Sequence, residues 1–99
     1  MTQEEAQALF QQFAAPLAPY VTSPGRKEAA ESLARNLWLA LLTGPEVEEA
    51  VWKGLKETAH LEDDLIGALR RCYEERMKPV VSAEQLADLR ERYQVKRKP

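Results

Sequence analysis

The chain has 99 residues, of which 54 are Ala, Leu, Glu, Arg or Lys, whereas only 7 are Val or Ile and 4 are Gly. This composition favours helices over strands, and the length corresponds to one domain. The 14 basic and 16 acidic side chains give a formal charge of −2. The longest apolar run, residues 37–42, is far shorter than the about 20 residues that a membrane span needs. We therefore expect a soluble all-α protein without a membrane segment.

The N-terminal segment and the cysteine content exclude further classes. The first ten residues hold two glutamates and no basic residue, unlike a secretory signal or transit peptide. The single cysteine, Cys72, excludes an internal disulfide and argues against a cysteine-based zinc site. These features predict a cytoplasmic domain without a cofactor, and they indicate no small-molecule ligand.

The first predicted helix covers residues 3–15. Thr2 and Glu5 form a capping-box pattern, in which each residue satisfies a hydrogen-bonding group of the other. Behind this pattern, apolar residues recur at helical spacing: Ala6, Phe10, Phe13 and Ala14.

A linker is predicted over residues 16–23, because Pro16 would remove a backbone donor and clash with the preceding turn. Its larger side chains are expected to face inward: Leu17, Tyr20 and Val21. Ser23 followed by Pro24 then indicates the start of the next helix, with a capping hydroxyl and a proline at the first helical position.

The second predicted helix, residues 24–42, is expected to be central. Its main apolar stripe has helical spacing: Ala30, Leu33, Ala34, Leu37 and Leu41. Trp38, Leu39 and Leu42 lie on the opposite side, so the C-terminal half is apolar all round. Such a helix has neighbours on more than one face.

The third predicted helix covers residues 44–58 and begins at a second capping-box pattern, Thr43 with Glu46. Its apolar face follows helical spacing: Val47, Ala50, Val51, Gly54, Leu55 and Thr58. Because Gly54 lies within this face and has no side chain, we expect another helix to approach closely there.

Two more helices, residues 61–78 and 83–94, complete the predicted bundle. The first of them ends before Pro79, and the second begins at a third capping-box pattern, Ser82 with Gln85. The first carries an apolar face: Leu61, Leu65, Ala68, Leu69, Cys72 and Tyr73. Short connections between the five helices favour antiparallel neighbours in a compact bundle.

We expect residues 1–94 to form a single helical domain and residues 95–99 to form a basic tail. The first half of the chain, 1–49, has a net charge of −4, whereas 50–99 has +2. An alternative function is therefore weak binding of a polyanion such as RNA or DNA. The cations available for it lie near the C-terminus: Arg90, Arg92, Lys96, Arg97 and Lys98.

The last two helices and their turn also suggest a helix-turn-helix. The second helix of such a motif must present donors to DNA. Here it carries an acidic stripe instead, formed by Glu84, Asp88 and Glu91. Acidic side chains repel phosphate, so we do not expect sequence-specific binding of nucleic acid.

His60 is the only histidine, and Asp63 and Asp64 follow it closely. These three residues are the candidates for a metal or catalytic site, since histidine titrates near neutrality and both residue types bind metals. The alternative is a polar helix junction, in which acidic residues stabilise a helix N-terminus. Cys72 lies on an apolar face and is predicted to pack in the core. We therefore expect no enzymatic activity.

Trp38, Leu42 and Trp52 are the candidates for a partner interface. Either neighbouring helices (the first and the fifth) cover both tryptophans, or these residues form a docking or dimer patch, because tryptophan is enriched in binding hot spots. The second possibility predicts a non-enzymatic interaction or regulatory module that holds a protein partner or a second copy of itself. It also predicts that Trp52→Ala weakens association more than folding.

Overall fold

The computed structural model describes residues 2–20, 24–58 and 62–92, and these ranges contain helices and no strand. Five α-helices follow one another along the chain: α1 (Gln3–Ala14), α2 (Pro24–Thr43), α3 (Pro45–Thr58), α4 (Asp63–Cys72) and α5 (Ala83–Arg92). The predicted all-α bundle of five helices is confirmed. The predicted basic tail lies outside the described residues.

The segment after α1 is more regular than the predicted linker. Residues Ala15–Tyr20 form 3₁₀ turns, which extend α1 in a tighter geometry. Leu17 is buried and Tyr20 is half-buried, so both face inward as predicted. Val21 and Ser23 lie outside the described residues.

Two of the predicted capping patterns are present. The backbone N–H of Glu5 donates to the Thr2 hydroxyl at 3.1 Å, and α1 begins directly after this cap. At α5 the pattern is reciprocal, because the Gln85 N–H donates to Ser82 Oγ at 3.1 Å and the Ser82 N–H donates to Gln85 Oε1 at 3.0 Å. Local sequence thus determines where both helices start.

The capping box predicted for α3 is wrong. The Thr43 hydroxyl donates backwards to the Leu39 carbonyl at 2.7 Å, within α2. Pro45 occupies the first position of α3, which makes Gly44 the residue before the helix. Gly44 has a φ of 145°, a conformation that glycine adopts without strain. A glycine turn, rather than the pair Thr43 and Glu46, therefore separates α2 from α3.

The fourth helix differs from the single helix predicted over 61–78. It begins at Asp63, changes to a π-helical turn over Tyr73–Met77, and ends in a 3₁₀ turn over Lys78–Val80. Pro79 lies in this last turn and lacks the N–H that a continuing α-helix would need.

α2 occupies the centre of the bundle as predicted, in contact with α1, the 3₁₀ segment, α3 and α5. The close helix approach predicted at Gly54 is wrong, because a Cβ added there would meet no described atom within 4 Å. The largest fully buried side chains come from α1, α2, α5 and the π turn: Phe13, Leu37, Leu42, Tyr73, Met77 and Leu89.

Candidate functional site

The residues predicted to form a partner interface lie in the core. Trp38, Leu42 and Trp52 are only 8%, 1% and 4% exposed. Trp38 packs edge-to-face against Phe10 of α1, with ring centroids 5.4 Å apart, and Trp52 packs against Tyr73 at 5.9 Å. Neighbouring segments thus cover both tryptophans. These three side chains offer a partner little accessible area, so a contact surface that includes any of them must draw most of its area from other residues.

Charged side chains bridge the joint between α3 and the fourth helix, around a pocket of about 220 Å³ that Glu48, Trp52 and Arg70 help to line. Glu48 is only 13% exposed, accepts a hydrogen bond from the Tyr73 hydroxyl and lies 3.3 Å from Lys78 Nζ. Arg70 of α4 pairs with Glu49 of α3. Each of these five polar groups therefore has a partner within the fold. The joint has the chemistry of a structural contact.

Tyr73 is a fixed hydrogen-bond donor at this joint. Burial raises the pKa of its hydroxyl well above the ordinary value, and the hydrogen bond to Glu48 raises it further. An ionised phenolate would lose the donor and face the Glu48 carboxylate. Lys78 Nζ lies 5.9 Å from the ring centroid, within the range of a cation–π contact.

The joint between α1 and α2 leaves a groove of about 510 Å³. Aromatic side chains lie at its base and amides and one cation at its edge: Ala6, Phe10, Trp38, Gln7, Gln11 and Arg35. Arg35 pairs at 3.9 Å with Glu31 of its own helix. Among the described residues no ion pair crosses this groove, and Phe10 is its half-buried aromatic side chain.

Leu39 is the exposed apolar residue next to this groove. Its exposed fraction is 58%, and it is the one large hydrophobic side chain found exposed in the described ranges. It follows Trp38 directly and comes one helical turn after Arg35, so it neighbours the edge of the groove on α2. α2 has neighbours on several faces as predicted, and Leu39 lies on the part of its apolar half that they leave uncovered. We call the α1/α2 groove together with Leu39 the Leu39 surface.

A second groove, of about 300 Å³, lies between the 3₁₀ segment and the fourth helix. It is lined by aromatic, charged and small side chains: Tyr20, Ala68, Arg71, Cys72, Glu75 and Arg76. Cys72 is buried as predicted, and its thiol donates to the Pro16 carbonyl at 3.4 Å. Burial raises the pKa of this thiol, against the opposing effect of Arg76. A protonated thiol of this kind is a packing group rather than a nucleophile.

The candidate metal site is only partly described. His60 lies outside the described residues, whereas Asp63 and Asp64 are exposed in the first turn of α4. Asp63 pairs with Lys56 of α3 at 3.4 Å, which links the two helices. Within the described ranges, no group of three His, Cys, Asp or Glu side chains is arranged to hold a metal.

Arg90, the first cation of the segment predicted to bind polyanions, contacts the end of α2 instead. Arg90 Nε donates to the Leu42 carbonyl at 2.9 Å and so satisfies the C-terminal end of α2. Arg92 is exposed, and the remaining cations lie outside the described residues: Lys96, Arg97 and Lys98. The acidic stripe of α5 is exposed along its whole length: Glu84, Asp88 and Glu91.

Comparisons of the chain with protein families, with curated proteins and with solved structures found no match. In the part of the chain that the structure describes, no helix combines the length and apolar character needed to cross a membrane. One feature of the Leu39 surface was visible in the sequence, since Phe10 and Trp38 each lie on an apolar face of a predicted helix. What it lacked was the relative placement of α1 and α2, which decides what remains uncovered.

Proposed function

We propose that this protein is a non-enzymatic helical domain that acts through protein–protein contact on the Leu39 surface, and that the partner is a second copy of this chain. The observation that carries the proposal is exposed Leu39 beside an aromatic groove that no described ion pair closes. Exposed apolar clusters mark interaction sites. Aromatic residues and arginine, both present here, are enriched at protein interfaces.

A second copy suits this surface because the protruding side chain and the groove lie side by side. A twofold axis between them would place Leu39 of each copy in the groove of the other. Complete burial of a leucine side chain stabilises by about 1.5–3 kcal/mol, and twofold symmetry makes the contact twice. The groove volume of about 510 Å³ leaves room for a leucine side chain on the surface that Phe10 and Trp38 help to line.

The non-enzymatic part of the proposal rests on the state of the candidate reactive groups. The Cys72 thiol is buried, donates to a carbonyl and has a raised pKa. The Tyr73 hydroxyl is engaged with Glu48, and its pKa is also raised. Both groups favour the protonated form, which opposes a nucleophilic role. Polyanion binding and a metal site at His60 stay predictions without support from the described residues.

Light scattering after size exclusion, over a range of protein concentrations, tests the proposal. We expect the wild-type mass to rise towards twice 11.3 kDa as concentration increases. Leu39→Gln removes the protruding apolar group, and Gln11→Lys places a charge at the groove edge. We expect Leu39→Gln to weaken association at least tenfold, because the lost burial is worth about 1.4 kcal/mol or more. Gln11→Lys should have an effect of similar size, because the contact would desolvate an unpaired charge.

Gln12→Lys is the matched control, because Gln12 is an exposed glutamine on the same helix that does not line the groove. Its association constant should stay within twofold of the wild type. Added salt should not weaken the dimer, because its contact is apolar. A monomer at every concentration would overturn the proposal, and so would equal effects of the Gln11 and Gln12 changes.

A further inference from the structure

The cations of the fourth helix fall into two groups. Arg70 pairs with Glu49 and lies 3.7 Å from Glu74, and Lys78 pairs with Glu48. Arg71 and Arg76 line the groove beside the 3₁₀ segment and form no ion pair with any described carboxylate. Two guanidinium groups therefore line one concave site without an ion pair to a described carboxylate, although Glu75 shares the lining.

The rest of this groove suits a ligand with an anionic and an apolar part. Tyr20 brings a phenol from the 3₁₀ segment, while Ala68 and Cys72 provide a small, weakly polar base. Glu75 also lines the groove, so the charged groups sum to one net positive charge. The space of about 300 Å³ is larger than a bare inorganic anion requires. Arg76 also lies in the π-helical turn, a distortion frequently found at functional sites.

We propose that the groove lined by Tyr20, Arg71, Cys72 and Arg76 binds a small molecule that carries an oxyanion, either phosphate or carboxylate, attached to an apolar group. Guanidinium groups bind both oxyanions through paired N–H donors. The two guanidinium groups hold the oxyanion, and the surface of Ala68 and Cys72 contacts the apolar group. This site is separate from the Leu39 surface, and neither depends on the other.

Calorimetric titration with phenyl phosphate, benzoate and inorganic phosphate tests this site. We expect saturable binding of at least one of the two aromatic anions, and the tighter one identifies the oxyanion. Inorganic phosphate should bind at least tenfold more weakly than phenyl phosphate, because it lacks the apolar group. Amide chemical shifts should change most at Ala68, Cys72 and Arg76.

Arg71→Gln and Arg76→Gln should each lower the affinity at least tenfold, because each removes one charged donor pair. Arg70→Gln is the matched control, since it removes an arginine of the same helix whose partners are carboxylates. Its affinity should stay within twofold of the wild type. Absence of saturable binding by both aromatic anions would overturn the proposal. So would an equal loss in all three variants, which would show a general charge effect.

Discussion

The two tryptophans occupy similar joints with different surroundings. Trp38 at the α1/α2 joint and Trp52 at the π turn of the fourth helix both pack edge-to-face on an aromatic ring. Around Trp52 the helices are bridged by Glu48 and by the pair Glu49 with Arg70. Around Trp38 the groove edge has two amides and an arginine that pairs within its own helix.

This difference teaches that helices can pack similar buried aromatic residues yet line the adjoining groove differently, with ion pairs at Trp52 and neutral amides at Trp38. Charged side chains that pair across a helix joint exclude a partner, since a ligand would have to break those pairs and desolvate them. Neutral amides at a groove edge present a smaller barrier. Tryptophan itself therefore belongs to the core in both places, and the two grooves differ in the charged groups that line them.

The largest expected effect is the loss of folding stability when either tryptophan is replaced, and the loss should be similar for the two. Trp38→Ala and Trp52→Ala should each lower the free energy of unfolding by about 3–5 kcal/mol, because each leaves a cavity in the core. Urea denaturation followed by circular dichroism measures this. Because Trp52 is buried, we now expect Trp52→Ala to weaken folding rather than mainly association. A loss below about 1 kcal/mol for either variant would contradict the core assignment.

Removal of the Tyr73 hydroxyl should have the next largest effect. Tyr73→Phe removes the donor to the shielded Glu48 carboxylate and should lower the free energy of unfolding by about 1–3 kcal/mol. Tyr20→Phe, at a half-buried tyrosine without that hydrogen bond, is the control and should cost less. Equal losses in both variants would contradict a special role for the Glu48 contact.

The same hydroxyl predicts a dependence on alkaline pH. Its pKa is raised in the folded state, so above about pH 10 the unfolded chain loses this proton first and gains stability relative to the native state. The Tyr73 contribution is therefore complete below that pH and declines as the pH rises above it. Denaturation at pH 8 and pH 11 should show a smaller decline for Tyr73→Phe than for the wild type. The same decline in both would contradict the raised pKa.

The exposed ion pair at the α3/α4 joint should contribute less. Glu49→Gln should change the free energy of unfolding by at most about 1 kcal/mol, and 1 M salt should reduce the difference. The double variant with Arg70→Gln measures the coupling of the pair alone. A salt-independent loss of several kcal/mol would contradict the assignment of this pair to the solvated edge of the joint.

The smallest effect on folding is expected at the open joint. Gln11→Lys should leave the free energy of unfolding within about 0.5 kcal/mol of the wild type, because Gln11 is exposed on a helix surface. Its effect should appear in association alone. A large loss of stability would show that the groove edge is part of the fold, and the contrast between the joints would then disappear.

Local signals in the sequence predicted most of the fold. The cap residues at Thr2 and Ser82 act within three residues of themselves, so they locate α1 and α5 without knowledge of the rest. The pair Thr43 with Glu46 failed for the same local reason, since Gly44 and Pro45 offer a competing turn. Local competition of this kind is decided by backbone geometry rather than by a side-chain pattern.

The sequence patterns did not predict how the helices pack against one another. Helical periodicity put Trp38, Leu39 and Leu42 on one side of α2, but it could not show that α1 covers Trp38 and leaves Leu39 exposed. The use of Arg90 to satisfy the end of α2 depends on a contact between residues 48 positions apart. The open groove likewise results from helix packing and has no motif of its own.

An isotope-filtered NMR measurement tests the central claim most directly. In a mixture of methyl-labelled and unlabelled protein, filtered spectra detect only contacts between different copies. The proposed twofold contact predicts nuclear Overhauser effects from the Leu39 methyl groups of one copy to the Phe10 and Trp38 rings of the other. These signals should disappear in Gln11→Lys and persist in Gln12→Lys. Intermolecular signals that involve other surfaces, or none at millimolar concentration, would contradict it.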